Sequence, residues 1–458
     1  MTDSIKKYYG EKVPRILRYF YPECITALLL YSLPLLLDAY FIGALKSTPS
    51  YAVLGASNNL LHLLTKIAEA LSIGTLVLTG QYNGQAKFKR AGTVLEDSFW
   101  LTVIMGAIIS GFLYLGAYWV YWWLGVSEEL IYLGVPFLRL RALGIFFTFI
   151  SFSIIGFLRG IKNTRVPMLI YVSGSVVFVI FDYLLILGKF GLPRLGLYGS
   201  GIASIIQSIV MLGVSLIYIV CTPFVRQYAI KLKPHLPSIS YIKEIVVLSW
   251  PVVVDKSIMA TAYVWLFKMI STMGTASSAA FNAVRDMERF VFIPAVALAQ
   301  IITFLVSNDF GAGRWRDIRY NLYKVFLMAF SMVAILLIVF SLFSTEIVQL
   351  FDKNGDFTEL AARTFPILSV LVFFDVLQLI LAGALRGAKD VRTVMFVRLI
   401  VISVYFVPFS KWLSTLNVSV LLKFLLIYAS FYIGNMFMSA MYIYRFCSQK
   451  WKNKQLQG

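Results

Sequence analysis

Apolar runs of about 20 residues or more follow one another along the chain, separated by shorter polar connections. A helix needs ~20 mainly apolar residues to cross the hydrocarbon core of a bilayer. Runs of that length are centred in 20–44, 54–80, 94–122, 130–158, 168–188, 199–222, 244–271, 279–306, 320–345, 358–385, 393–409 and 418–444. No segments of ~10 residues alternate apolar and polar between turn signals, so a β-barrel is excluded. The pattern predicts an all-α polytopic membrane protein with about 12 transmembrane helices.

Composition agrees: 59% of the 458 residues are hydrophobic and only 14% are charged, against roughly 25% charged in soluble domains. The net charge of +19 calls for a topological explanation, because the basic residues are too dispersed for nucleic-acid binding. The N-terminal tail, alternate connections and the tail from Arg445 hold 25 Lys plus Arg, whereas the opposite connections hold five: Lys46, Lys189, Arg194, Lys353 and Lys411. Positive charge stays on the cytoplasmic side. Both termini are therefore expected in the cytoplasm of a multi-pass inner-membrane protein, with the bilayer as its lasting partner. The polar, basic N-terminus reads as a cytosolic tail with no h-region of a signal peptide. Cys24, Cys221 and Cys447 form no CxxC, and His62 and His235 are the only histidines, so neither a disulfide framework nor a zinc site is indicated.

Two connections share a pattern. LRGIKNTRVPM (Leu158 to Met168) and LRGAKDVRTVM (Leu385 to Met395) keep Leu, Arg, Gly, Lys, Arg and Met in register at an offset of 227. Gly84 pairs with Gly311, and Lys87 with Arg314, at the same offset. An offset close to half the chain indicates two homologous six-helix lobes, 1–222 and 244–445, with a basic linker at 223–243 and a tail at 446–458. Six spans per lobe make the repeat parallel, an arrangement expected to enclose a central cavity as in alternating-access carriers.

Ionisable groups at membrane depth cost at least ~2.5–3.5 kcal/mol each, so each calls for a function. Asp38 and Asp182 lie in apolar runs of the first half, and Asp255 and Asp375 near mid-span in the second. A poorly hydrated carboxylate disfavours its charged form and takes up H+ or Na+ instead. Na+ would be held at Asp38 and Asp182 or at Asp255 and Asp375, and no other cofactor is called for. NAVRDMERFVFIP places Arg285 three residues before Glu288, and Asp286 three before Arg289. That is the spacing of intrahelical ion pairs, although Arg285, Asp286 and Glu288 are also candidates to line a substrate cavity. Lys66 with Glu69 has the same spacing.

These residues resemble the multidrug and toxic compound extrusion (MATE) family, with features of its DinF-like and NorM-like branches. The segments concerned are LLLDAYFIGAL, LRGIKNTRVPM, FDYLLILGKFGLPRLGLYGSGIAS, PVVVD, FGAGR and FFDVLQLILAGALRGAKD. The resemblance implies two six-helix lobes that export organic, typically cationic, compounds in exchange for Na+ or H+. It matches Asp38 to the first-span aspartate and Asp182 to the fifth-span aspartate of DinF-like members. Asp375 matches the tenth-span aspartate of NorM-like members, and Asp255 stands where those carry glutamate. Phe178 occupies a position that usually holds asparagine, and Ser200 one that often holds threonine.

The function expected is therefore a secondary active antiporter, not an enzyme, working as a monomer on small organic substrates. Two other readings exist. A lipid-linked saccharide flippase of the same superfamily would use Arg139, Arg141, Arg285 and Arg289 on a pyrophosphate. A membrane-embedded transferase or hydrolase would need an acid/base site that two histidines, without HExxH or GxSxG, do not suggest.

The charge asymmetry generates a test of topology. With the native cysteines replaced, cysteines introduced at Ser47, Glu128 and Asp356 should label from outside, and one at Lys452 only from inside. External labelling at 452 would contradict the expected orientation.

Overall fold

The computed structural model describes residues 9–454 except 32, 44, 46, 124, 126, 234–237, 350–351 and 353–354, so His235 lies outside it. Among the described residues all regular structure is helical. The first expected span corresponds to α1 (Val13–Tyr31) and α2 (Leu33–Gly43). Then come α3 (Thr48–Gly84), α4 (Phe88–Trp123), α5 (Glu128–Gly160), α6 (Arg165–Leu187) and α7 (Leu197–Cys221). A 3₁₀ turn at Pro223–Tyr228 leads toward α8 (Ile239–Ser271), α9 (Thr275–Gly311), α10 (Trp315–Leu342) and the short α11 (Ser344–Gln349). The chain ends with α12 (Thr358–Ser369), α13 (Val372–Gly387), α14 (Val391–Ile400), a π-helical stretch Val401–Phe406, α15 (Val407–Thr415) and α16 (Val420–Cys447). Ten described spans are long and apolar enough to cross a membrane, and the bent pair α12–α13 makes an eleventh.

The chain divides into two compact units, Tyr21–Trp250 (the N-unit) and the stretch ending at Phe20 together with Pro251 onward (the C-unit). Within the N-unit α5 packs on α3, α4 and α7, and α6 on α7. Within the C-unit α13 packs on α9 and α16, and α9 on α10. The offset of 227 recurs in the elements. Helices α3 and α9, 37 residues each, begin and end 227 apart; α4 and α10 begin, and α5 and α13 end, at the same offset.

The repeat extends to packing. A Cβ on Gly160 would lie 2.9 Å from the carbonyl oxygen of Leu76, and one on Gly387 2.5 Å from that of Thr303. Leu76 and Thr303 are themselves 227 apart. Lipid provides no hydrophobic drive between helices, so close backbone approach over small residues supplies the attraction. The motif glycines thus fix how α5 meets α3 and α13 meets α9. The lysines two positions on, Lys162 and Lys389, both take positive φ (62° and 65°) as the chain turns back.

The repeat fails at two places. The expected single span 358–385 is α12 and α13, bent by 53°. Leu371 N–H donates to Leu368 and Phe374 N–H to Leu371, three residues back instead of four, and such tightened bonds turn the axis. The span from Val391 to Thr415 contains the π stretch just before Pro408, which has no N–H to complete the regular ladder.

On the loop before α12, Asp352 gathers the backbone that leads into that helix. Its carboxylate accepts from the backbone N–H groups of Gly355 (2.9 Å), Asp356 (3.2 Å), Phe357 (2.8 Å) and Thr358 (2.8 Å), and from the Thr358 hydroxyl (2.8 Å). Burial raises its pKa, but these donors together outweigh that and bring it down to about 2. Because the folded-state value is depressed, the stabilisation is complete above the ordinary carboxylate range and is lost only as pH falls through about 2. Asp352→Asn should therefore lower the melting temperature similarly at about pH 7 and about pH 4. A deficit present at the higher pH alone would contradict this cap.

Candidate functional site

The arginine of the repeated LRG motif is buried in both units. In the N-unit Arg159, near the end of α5, donates to Glu23 of α1 through Nε (2.9 Å) and Nη2 (2.7 Å). Their side chains are 6% and 1% exposed, a bidentate geometry that suits guanidinium and carboxylate. In the C-unit Arg386, near the end of α13, forms a short ion pair with Asp255 of α8. A second arginine, Arg398 of α14, reaches the other oxygen of Asp255 at 2.7 Å. Asp255 is thus a doubly paired ion.

The C-unit network continues. Arg398 donates to Gln378 Oε1 (2.7 Å), and Gln378 Nε2 donates to Asp375 Oδ1 (2.6 Å). Gln378 and Asp375 are one turn apart on α13 and both are buried. Asp375 lies in the first turn of α13, immediately after the bend, and not mid-helix as its position in the apolar run suggested. There the N-terminal end of the helix dipole favours its negative charge. It forms no ion pair among the described residues.

The α9 cluster departs from its expected pairing. Asp286 and Arg289 form the predicted ion pair at 3.1 Å, half exposed. Arg285 and Glu288 do not pair: the Arg285 guanidinium sits 4.6 Å from the ring centre of Tyr263, and Glu288 accepts from Tyr428 (2.6 Å) and, in a short bond, from Tyr432. Two tyrosines one turn apart on α16 satisfy both oxygens of Glu288, leaving the arginine to an aromatic face. Asp286 and Arg285 are therefore at the edge of this region and Glu288 within it.

In the N-unit Asp182 is 0% exposed and lies on one stripe of α6 with Tyr171, Ser175 and Phe178, all buried. This stripe is on the helix that packs against α7, which carries the buried Ser200. One turn beyond Ser200, Ser204 forms a short hydrogen bond with Arg141, which also donates to Asn58 (3.0 Å). Lys66 and Glu69 form their expected pair at 3.0 Å. The helix carrying Asp38 is in place, but that side chain lies outside the described residues.

A sequence profile of the MatE family matches residues 24–184 and 251–412, most of both units. The chain belongs to the MatE family. Among relatives of this MatE chain, the "Probable multidrug resistance protein NorM" of Thermotoga maritima is 23% identical over 405 residues, covering 87% of this chain and 86% of its own length. The "Probable multidrug resistance protein YoeA" of Bacillus subtilis is 22% identical over 357 residues, 77% and 76% of the two chains. Among solved structures, a multidrug resistance MATE family transporter in an outward-facing conformation superposes with a TM-score of 0.86 at 18% identity, over 95% of this chain and 96% of that one. A MATE structure in a bent conformation gives 0.84 at 20% identity, over the same shares. The fold is therefore that of a two-lobed MATE transporter, and the protein spans the membrane several times.

Sequence reasoning missed Glu23, Arg159, Gln378 and the two α16 tyrosines. The first pair had a signal: an arginine repeated at the offset of 227 at the end of an apolar run. The tyrosines had only their four-residue spacing. Breaking a buried ion pair costs about 3–5 kcal/mol because one charge is left uncompensated, whereas replacing both partners by apolar groups is often neutral. Arg159→Met and Glu23→Leu should each lower thermal stability in detergent by that order, and the double variant should recover most of it. Additive losses would show that the pair is not the relevant interaction.

Proposed function

We propose that this MatE chain is a secondary active antiporter that exports organic compounds, cationic or amphipathic, in exchange for H+ or Na+ by alternating access. The observation that carries the reading is Asp375: a buried carboxylate at a helix bend inside an apolar span, held by the neutral amide of Gln378 and by no ion pair among the described residues. A charge in that setting is costly, and binding a cation relieves the cost. Occupancy then changes the relative energies of two conformations, which is what coupling requires. Asp182 is the N-unit candidate because it is fully buried within an apolar span, and Asp38 joins it on the family resemblance. Asp255 is less suited, because two arginines already compensate it. The multidrug resistance names of the relatives support export as the direction; the even number of expected spans puts both termini on one side, and the Lys and Arg bias makes that side the cytoplasm.

The flippase reading receives less support. It needs arginines free to meet a pyrophosphate, yet Arg141 is tied to Ser204 and Asn58, Arg139 donates to the Tyr114 carbonyl (3.2 Å), Arg285 sits on Tyr263 and Arg289 pairs with Asp286.

Proteoliposomes loaded with tetraphenylphosphonium, given an imposed pH gradient or an imposed Na+ gradient separately, test the proposal. Wild-type protein should export under one of them. Asp375→Asn should reduce that flux at least ~10-fold while leaving binding within a few-fold, the signature of a lost coupling step. Asp38→Asn should act the same way and Asp182→Asn more mildly. Wild-type flux in all three variants would remove these carboxylates from coupling.

A further inference from the structure

Glu288 is 4% exposed, within a span of high mean hydropathy, and forms no ion pair among the described residues. Its carboxylate is held by the Tyr428 and Tyr432 hydroxyls, one on each oxygen. The two phenol rings stack at 5.7 Å on α16. Three residues past Tyr432, Asn435 is 0% exposed, and among the described residues neither its amide nitrogen nor its amide oxygen has a hydrogen-bond partner. A buried polar group left unsatisfied costs about 1–3 kcal/mol, and sites that keep such a group do so for a reason. Four residues further, Ser439 donates to the carbonyl of Phe374 (3.2 Å), the residue before Asp375. Positions 428, 432, 435 and 439 repeat every three or four residues, so they share one face of α16. Asn435 therefore stands on that face between the contact with Glu288 and the contact beside Asp375.

We propose that Glu288 takes up and releases the coupling proton of this transporter, with Asn435 linking it to Asp375; the proposal rests on the antiporter reading above. The geometry favours a proton over a metal cation. The Tyr428 hydroxyl is already 2.6 Å from the carboxylate, so the oxygens leave no space between them for an ion. A proton fits: it converts the carboxylate to the acid, and one phenol turns its O–H away and accepts in its place. The titratable and charged groups acting on Glu288 are Tyr428 and Tyr432 of α16, Asp375 of α13, Tyr263 of α8 and Arg285 of its own helix. Protonation of Glu288 removes one of two buried carboxylate charges that repel each other, so the proton can pass from one to the other while the pair carries one negative charge. Asn435, whose donor and acceptor have no partner among the described residues, is suited to hydrogen-bond the water that carries the proton between the two acids, the amide itself staying neutral throughout.

Infrared difference spectra of the full-length protein in detergent, acid minus alkaline, report every carboxyl that changes protonation and need no substrate. Wild-type protein should show a protonated-carboxyl band that Glu288→Gln removes. Tyr428→Phe and Tyr432→Phe should shift its midpoint pH, since each withdraws a donor from the carboxylate. In proteoliposomes Glu288→Gln should lower pH-gradient-driven export of tetraphenylphosphonium at least ~10-fold, and Asn435→Leu should slow it while leaving the infrared band in place. A Glu288→Gln spectrum that superimposes on wild type overturns the proposal, as does Glu288→Gln export at the wild-type rate. Should Glu288→Gln fail to fold, an unchanged midpoint in both tyrosine variants overturns it equally. Wild-type protein that exports under neither gradient would refute the antiporter reading, and the infrared result would still decide whether Glu288 exchanges the proton.

Discussion

The structure depends on how ions are compensated where water is absent. Each unit buries an acid on an early helix and brings to it the arginine of the LRG motif from the end of a later one: Glu23 with Arg159, Asp255 with Arg386. An uncompensated charge at that depth would remove a large part of a typical protein's margin of stability. The pairing therefore fixes where α5 ends relative to α1, and α13 relative to α8. The glycine after each arginine completes the junction by letting the helix touch its neighbour's backbone. A motif that looks like a topology signal in the sequence is thus also a structural lock, and its lysine and second arginine serve the charge asymmetry.

The two units use that lock differently. In the N-unit it closes on itself, with one guanidinium and one carboxylate in bidentate contact. In the C-unit Asp255 takes two arginines, and the second passes the network through Gln378 to Asp375. Two arginines on one aspartate leave an excess positive charge, which Asp375 offsets at one remove without touching it. Asp375 is consequently poised: compensated enough to be buried, yet not paired tightly enough to be inert. The bend between α12 and α13 reinforces this, because it turns what would be mid-helix into a helix start.

Much of this was legible in the sequence. The spans follow from apolar run length, and the repeat from six matched residues at one offset, which reappears in helix limits and in glycine contacts. The ion pairs at three-residue spacing were readable where nothing competed, as for Lys66 with Glu69 and Asp286 with Arg289. The prediction failed for Arg285 and Glu288 because the competitor is remote: Tyr428 lies 140 residues from Glu288. The partners of Asp255 were hidden for the same reason, Arg386 being 131 residues away. The bend near 370 was not read either: the nearest breaker, Pro366, lies a turn before it inside α12, and the bonds three residues back at Leu371 and Phe374 turn the chain.

Comparing the buried carboxylates separates structural roles from functional ones. Glu23 and Asp255 meet guanidinium groups, whose charge is fixed at any accessible pH, and are parts of the scaffold. Asp375 meets an amide and Glu288 meets phenols, partners that stabilise a negative charge without cancelling it. Carboxylates of the second kind can change charge at modest cost, and these two lie in the C-unit, on and beside the helix pair that bends. Position in the membrane alone would have ranked Asp255 with Asp375. The partner's chemistry, not depth, decides which acid is free to couple an ion to a conformation.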